Sequence, residues 1–208
     1  ARRDALPAVL DGIAAARDAG FAGIKLDTVV IRGINDGELA TLVDFARGVG
    51  AEIRFIEYMD VGGATRWRPD LVVSRAEMLA ALRDRFGAIA AVPRDGSAPA
   101  EQFQLADGTV IGIIASMTQP FCSTCDRSRL TADGMWFRCL YGQQGTDLRQ
   151  LLRDGADDAA VAGVIAAAWQ QRSDRGAEVR LGLADRQPLA QPAQLRSQPH
   201  LEMHTRGG

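Results

Sequence analysis

Apolar positions along the chain predict an opening of alternating helices and strands. Leu6, Val9, Leu10, Ile13 and Ala16 share one helical face over residues 5–19, and Gly20 follows as a stop. Residues 23–31 (Gly-Ile-Lys-Leu-Asp-Thr-Val-Val-Ile) read as a strand. Asn35 and Asp36 offer a helix cap, with Glu38 spaced as in a capping box, before a second helix with Leu39, Leu42, Val43 and Ala46 inward. A second strand is predicted over 52–58. Ser74 and Glu77 form another capping box before a third helix whose inward side chains are Met78, Leu79 and Leu82.

This order is that of βα repeats with a parallel sheet or barrel, an α/β class. It begins with a helix that should follow a strand, and two strands are too few to cover three amphipathic helices. Residues 1–93 are therefore expected to be part of an incomplete βα barrel of the TIM type. After Pro93 the pattern changes. Residues 94–100 are loop-like, and two hairpins follow. Asp107-Gly108 separates 103–105 from 110–114, and Asp133-Gly134 separates 129–131 from 136–139. Thr146 is read as the cap of a short helix ended by Gly155. A longer helix over 157–172 puts Val161, Val164, Ile165 and Trp169 on one side. From 173 the chain is polar with little periodicity. Residues 94–208 are expected to form a small α+β domain.

Composition narrows the classes. Apolar residues are 47% and charged residues 24% of the 208 positions, ordinary for a globular chain. No apolar run approaches a membrane span, and no apolar core follows Arg2 and Arg3, so no membrane partner and a cytoplasmic location are expected. The net charge of −2 provides no global basic field, so no nucleic acid partner is expected and any anion must be held by a local cluster. Positive charge is almost all arginine; Lys25 is the only lysine.

The three cysteines, Cys122, Cys125 and Cys139, are odd in number and close in sequence, which argues against a disulfide framework. Cys122-Ser123-Thr124-Cys125 puts two thiolates on one tight loop. With a two-residue turn at Asp133-Gly134, Ser128 faces Cys139, so the hairpin is expected to return the third thiolate to the first two. A structural zinc site wants four closed ligands. His200, His204 and Asp126 are available, but neither histidine has ligand spacing to the pair. A [4Fe–4S] cluster on three cysteines leaves one iron open. Spacing alone leaves iron–sulfur and zinc both in play, and with zinc the alternative function is a zinc-stabilised binding module without catalysis. Arg127 and Arg129 are two apart on one strand face, and Arg138 is placed across the hairpin from Arg129. Guanidinium groups beside a metal suit a polyanion such as a phosphate chain.

Phe121-Cys122-Ser123-Thr124-Cys125-Asp126-Arg127-Ser128-Arg129-Leu130-Thr131-Ala132-Asp133-Gly134, with Cys139-Leu140-Tyr141-Gly142 after it, resembles the second-cluster motif of the GTP 3′,8-cyclase family. Lys25 with residues 28–36, Arg54-Phe55-Ile56-Glu57-Tyr58-Met59 and the terminal Gly207-Gly208 resemble three further segments of that family, in the right order. The resemblance implies a radical S-adenosylmethionine lyase of molybdenum cofactor (molybdopterin) biosynthesis. Its product is (8S)-3′,8-cyclo-7,8-dihydroguanosine 5′-triphosphate. It implies that Cys122, Cys125 and Cys139 hold a [4Fe–4S] cluster whose open iron anchors the guanine. It further implies that Lys25, Arg54, Arg127, Ser128 and Arg129 meet GTP, that Met59 lies at the S-adenosylmethionine site, and that Gly207 and Gly208 help position an arginine for catalysis. It allows a homodimer in the full-length enzyme and places a cyclic pyranopterin monophosphate synthase downstream in the pathway. Two departures stand out. Asp27 occupies a position where the family usually has Asn. No C-x-x-x-C-x-x-C occurs in the sequence, so the chain is expected to be a portion lacking the half that cleaves S-adenosylmethionine, inactive alone.

Overall fold

The computed structural model describes residues 5–93 and 96–206. These residues pack as two compact units: 5–58 with 72–115, and 59–71 with 116–206. The sequence places one boundary near Pro93. The chain instead leaves the first unit at Tyr58, re-enters at Val72 and leaves again after Ala115. Of the loop expected over 94–100, Arg94 and Asp95 lie outside the described residues.

The first unit opens with α1 (Leu6–Asp18), which has no buried side chain; Leu6, Val9 and Leu10 are exposed. The strand β1 (Lys25–Val30) leads through α2 (Leu39–Gly48) to β2 (Glu52–Glu57), which pairs with β1 in parallel. Asn35 and Asp36 do not cap α2. Their carboxamide and carboxylate oxygens accept from the backbone N–H groups of Ile31 and Gly33, tightening the preceding turn, and a 3-10 turn at Asp36–Glu38 precedes the helix. The next helix, α3 (Arg75–Phe86), carries the full expected capping box. The Ser74 hydroxyl accepts from the Glu77 N–H, and the Glu77 carboxylate accepts from the Ser74 N–H.

Three more strands follow: β3 (Ile89–Ala91), β4 (Glu101–Leu105) and β5 (Val110–Ile114). The Asp107-Gly108 hairpin is present as expected, but it does not belong to the second unit. β5 pairs with β2 in parallel, giving a five-stranded mixed sheet in the order β1-β2-β5-β4-β3. The sheet is open, and no closed barrel forms among the described residues. The reason is local. β4 returns antiparallel to β5 through a hairpin and β3 pairs antiparallel to β4, so the one reversed strand, β4, makes two antiparallel pairings that break the parallel repeat. Val30, Ile53, Phe55, Ile111 and Ile113 pack against Val43, Met78 and Leu82 of α2 and α3 to form the core. The opposite face carries Lys25, Asp27, Glu52, Arg54 and Gln102 at one end and the row Val29, Ile56 and Ile114 at the other, so only part of it is polar.

The second unit is built around a small sheet. Its strands β6 (Arg129–Leu130), β7 (Met135–Phe137) and β8 (Thr146–Asp147) are consecutive and antiparallel. Thr146 lies in β8, and Asp147 rather than Thr146 caps α4 (Leu148–Arg153), accepting from the Gln150 N–H. Asp157 caps α5 (Asp158–Gln170) in the same way. The polar tail contains two short helices that its composition concealed, α6 (Gly176–Leu181) and α7 (Pro192–Ser197).

Candidate functional site

The cysteines and arginines stand in the second unit. Cys122 and Cys125 close one 3-10 turn, with the Cys125 N–H donating to the Cys122 carbonyl at 3.3 Å. All three cysteines are free thiols and half-buried.

The β6–β7 hairpin is in a register one residue away from the expected one. Arg129 pairs with Phe137, and Thr131 closes a three-residue loop onto Met135. Gly134 makes this loop possible by taking a left-handed φ of 87°. The Thr131 hydroxyl reinforces it by accepting from the Met135 N–H at 2.9 Å. Ser128 therefore does not face Cys139, Arg138 is not opposite Arg129, and strand pairing ends two residues before Cys139.

Among the described residues, no three His, Cys, Asp or Glu side chains form a group that could hold a metal ion. His200 stacks on Phe137 with ring centroids 5.7 Å apart, and His204 is exposed beside Glu202, so neither supplies a fourth zinc ligand. Thiols are the donors an iron–sulfur cluster takes, but the described residues do not bring Cys122, Cys125 and Cys139 together as one metal-holding group, so the expected convergence of the three is not seen; what surrounds the thiols is positive charge. Arg127 reaches Cys125, with its guanidinium 3.6 Å from Sγ, while stacking on Phe121 at 5.0 Å. The Arg127 Nε is buried without a hydrogen-bond partner among the described residues, an orphaned donor beside a thiol. Arg172 donates to the Cys125 carbonyl and stacks on Trp169 at 4.8 Å. Asp174 sits 3.7 Å from both Arg172 and Arg138.

These charges act on the thiols. Burial opposes ionisation of Cys125. The Arg127 N–H, the Arg172 side chain and the Arg127 charge together outweigh it, and its pKa falls below the ordinary thiol value. Arg129 shows the reverse pull. Burial and the charge of Arg127 lower its pKa, and Cys125 and Cys139 hold it up. Arg129 is thus within electrostatic reach of both Cys125 and Cys139. Ser128 is exposed.

The other sequence-predicted residues are placed as follows. Lys25 and Arg54 share the polar end of one face of the first unit's sheet, on adjacent strands, with Lys25 in register with Glu52 and Asp27 with Arg54. Arg54 is not free: its Nε donates to Glu52 at 2.6 Å, and Gln102 donates to the same carboxylate. Met59 is half-buried and belongs to the second unit. Gly207 and Gly208 lie outside the described residues.

A cluster around Asp60 was not foreseen. Asp60 is fully buried and accepts from the Tyr141 hydroxyl at 2.9 Å, Arg180 at 2.6 Å and Arg186 at 2.8 Å. Burial and the neighbouring carboxylate hold the Tyr141 phenol well above its ordinary pKa. In sequence, Asp60 reads as a polar residue entering a glycine loop, and its partners lie 81, 120 and 126 residues away.

Fold and site together define an α/β chain with a thiol-bearing, arginine-rich turn. The family model for Molybdenum Cofactor Synthesis C matches residues 51–178. The chain belongs to this family. GTP 3′,8-cyclase 3 of Mycobacterium bovis is 55% identical over 200 residues, which cover 96% of this chain and 53% of that protein. GTP 3′,8-cyclase 1 of Mycobacterium tuberculosis is 51% identical over 207 residues, 100% of this chain and 58% of that protein. GTP 3′,8-cyclase of a Synechococcus strain is 44% identical over 192 residues, 90% of this chain and 54% of that protein. The chain spans about half the length of these relatives. No helix among the described residues is long and apolar enough to cross a membrane.

Proposed function

We propose that this chain is a portion of a GTP 3′,8-cyclase, a lyase of the radical S-adenosylmethionine class, and that its part is to hold GTP beside an iron–sulfur cluster. The names of the relatives support the substrate. One observation carries the site: Arg127 reaches the Cys125 thiol at 3.6 Å through one end of its guanidinium and keeps a buried, unpartnered Nε, with Arg129 two residues further along. A nucleotide triphosphate offers the many acceptor oxygens that such guanidinium groups bind best.

In this account Cys122, Cys125 and Cys139 hold a [4Fe–4S] cluster, which when bound supplies an iron coordination position that the protein leaves open. Arg127, Ser128 and Arg129 receive the nucleotide. Lys25 and Arg54 are assigned to GTP, and Met59 to the S-adenosylmethionine site, on the family's motifs. Gly207 and Gly208 form a tail that positions an arginine for catalysis. Residues 1–93 are the barrel portion and residues 94–208 the cluster and GTP portion, with the hairpin of β4 and β5 lent to the sheet of the first.

Three cysteines supply one three-thiolate site. With that site given to guanine, none remains for S-adenosylmethionine, so these 208 residues should bind GTP without turnover. The test is calorimetry of GTP binding to the reconstituted chain, together with an anaerobic assay of GTP, S-adenosylmethionine and dithionite followed for 5′-deoxyadenosine. GTP binding with no sustained deoxyadenosine is expected. Absence of GTP binding overturns the site, and sustained deoxyadenosine overturns the role given to the cluster.

A further inference from the structure

Cys139 stands in a setting that the arginines do not explain. Gly176, the first residue of α6, faces it. A β-carbon at Gly176 would lie 3.0 Å from the Cys139 sulfur and 2.5 Å from the Tyr141 Cβ. Gly176 is not among the glycines with positive φ. Backbone conformation therefore does not demand glycine there; the close approach of Cys139 and Tyr141 does.

Tyr141, two residues past Cys139, is fixed at its far end by Asp60. Asp60 is in turn held by Arg180 and Arg186, which both donate to its second carboxylate oxygen. Arg180 lies on α6 as well, four residues after Gly176, and so on the same helix face. One short helix thus meets the segment 139–141 twice. At its first residue it leaves room for the thiol. One turn later it grips the carboxylate that anchors the tyrosine.

We propose that Gly176 and Asp60 are positioning residues for Cys139, Gly176 by the notch it leaves for the sulfur and Asp60 by fixing Tyr141. Together they hold the third thiol at one depth and one rotamer for a ligand shared with Cys122 and Cys125. The purpose of this device rests on the cluster reading; its test does not.

In metal-free protein, iodoacetamide alkylation of each cysteine is followed by peptide mass spectrometry. The variants are Gly176→Ala, Tyr141→Phe, and Gly163→Ala as a control in open space on α5. The Cys139 rate should change by about fivefold or more in Gly176→Ala, as an extra methyl group in a packed site shifts local opening. Cys122 and Cys125 should stay close to the parent rates. Tyr141→Phe should alter Cys139 by a smaller factor, and Gly163→Ala should alter none of the three. After anaerobic addition of iron and sulfide, Gly176→Ala should retain less iron than Gly163→Ala. Unchanged Cys139 alkylation in both Gly176→Ala and Tyr141→Phe overturns the proposal. Should the parent take up no iron, the cluster reading falls, and the alkylation rates still decide the positioning.

Discussion

Arg127 spends part of its charge on Cys125 and the face of Phe121, and leaves a buried Nε with no partner among the described residues. An orphaned guanidinium donor is costly unless a ligand satisfies it. Replacing Arg127 or Arg129 by Ala should therefore weaken GTP binding by about 1.5–3 kcal/mol for each charged hydrogen bond lost. Calorimetry on the reconstituted chain measures this, and unchanged affinity in both variants would return them to a purely structural role. Asp60 makes the opposite case, a carboxylate whose every partner is internal. Asp60→Ala leaves Arg180 and Arg186 without their shared counter-charge and should cost about 3–5 kcal/mol, the usual result of breaking a buried pair. A urea midpoint equal to the parent's would show that the two arginines find other partners. Cys122, Cys125, Arg127 and Arg129 were legible in the sequence because their chemistry is packed into eight positions. Asp60 was not, because a lone aspartate beside Val61-Gly62-Gly63 reads as a solvated turn until its distant partners fold onto it.

Among the elements, α3 was the most legible, since Ser74 and Glu77 specify its start by purely local bonds. The Ser74 hydroxyl and N–H, with Arg32, hold the Glu77 carboxyl at a pKa of about 2, below its ordinary 4.5. A depressed carboxyl stabilises the fold above its unfolded pKa and loses that contribution as pH falls towards the folded value. Glu77 is exposed enough for solvent screening to keep the effect small. The parent should therefore melt above Glu77→Gln at pH 6, with the gap closing between pH 4.5 and pH 2. A gap independent of pH would mean that the carboxylate's charge plays no part. The second hairpin was legible as a hairpin but not in its register, because Asp133-Gly134 suits a two-residue turn as readily as the end of a three-residue one. The hydroxyl of Thr131 decides between them. The cap of α4 went astray for a similar reason: Thr146 and Asp147 are adjacent and both good cap residues, and it is the Asp147 carboxylate that accepts from the Gln150 N–H.

At the scale of the molecule, the α/β class could be read from the alternation of helix and strand, but the joining of β5 to β2 could not. Parallel pairing of Arg54 with Gly112 spans 58 positions and leaves no local pattern, so the hairpin after Pro93 looked like the start of a new domain. The first unit also exposes Leu6, Val9, Leu10, Phe21 and Val29. Apolar surface beside an edge strand favours self-association. Light scattering should rise with concentration and fall in a Leu10→Gln, Phe21→Ser variant; equal scattering would show that this surface is tolerated. The central claim, that three thiols hold an iron–sulfur cluster which receives the nucleotide, is tested most directly by iron and sulfide analysis of the anaerobically reconstituted chain beside Cys139→Ser. The account predicts a brown protein with about four irons per chain, and loss of that iron in the variant. A colourless protein with stoichiometric zinc, or equal iron in Cys139→Ser, would contradict it.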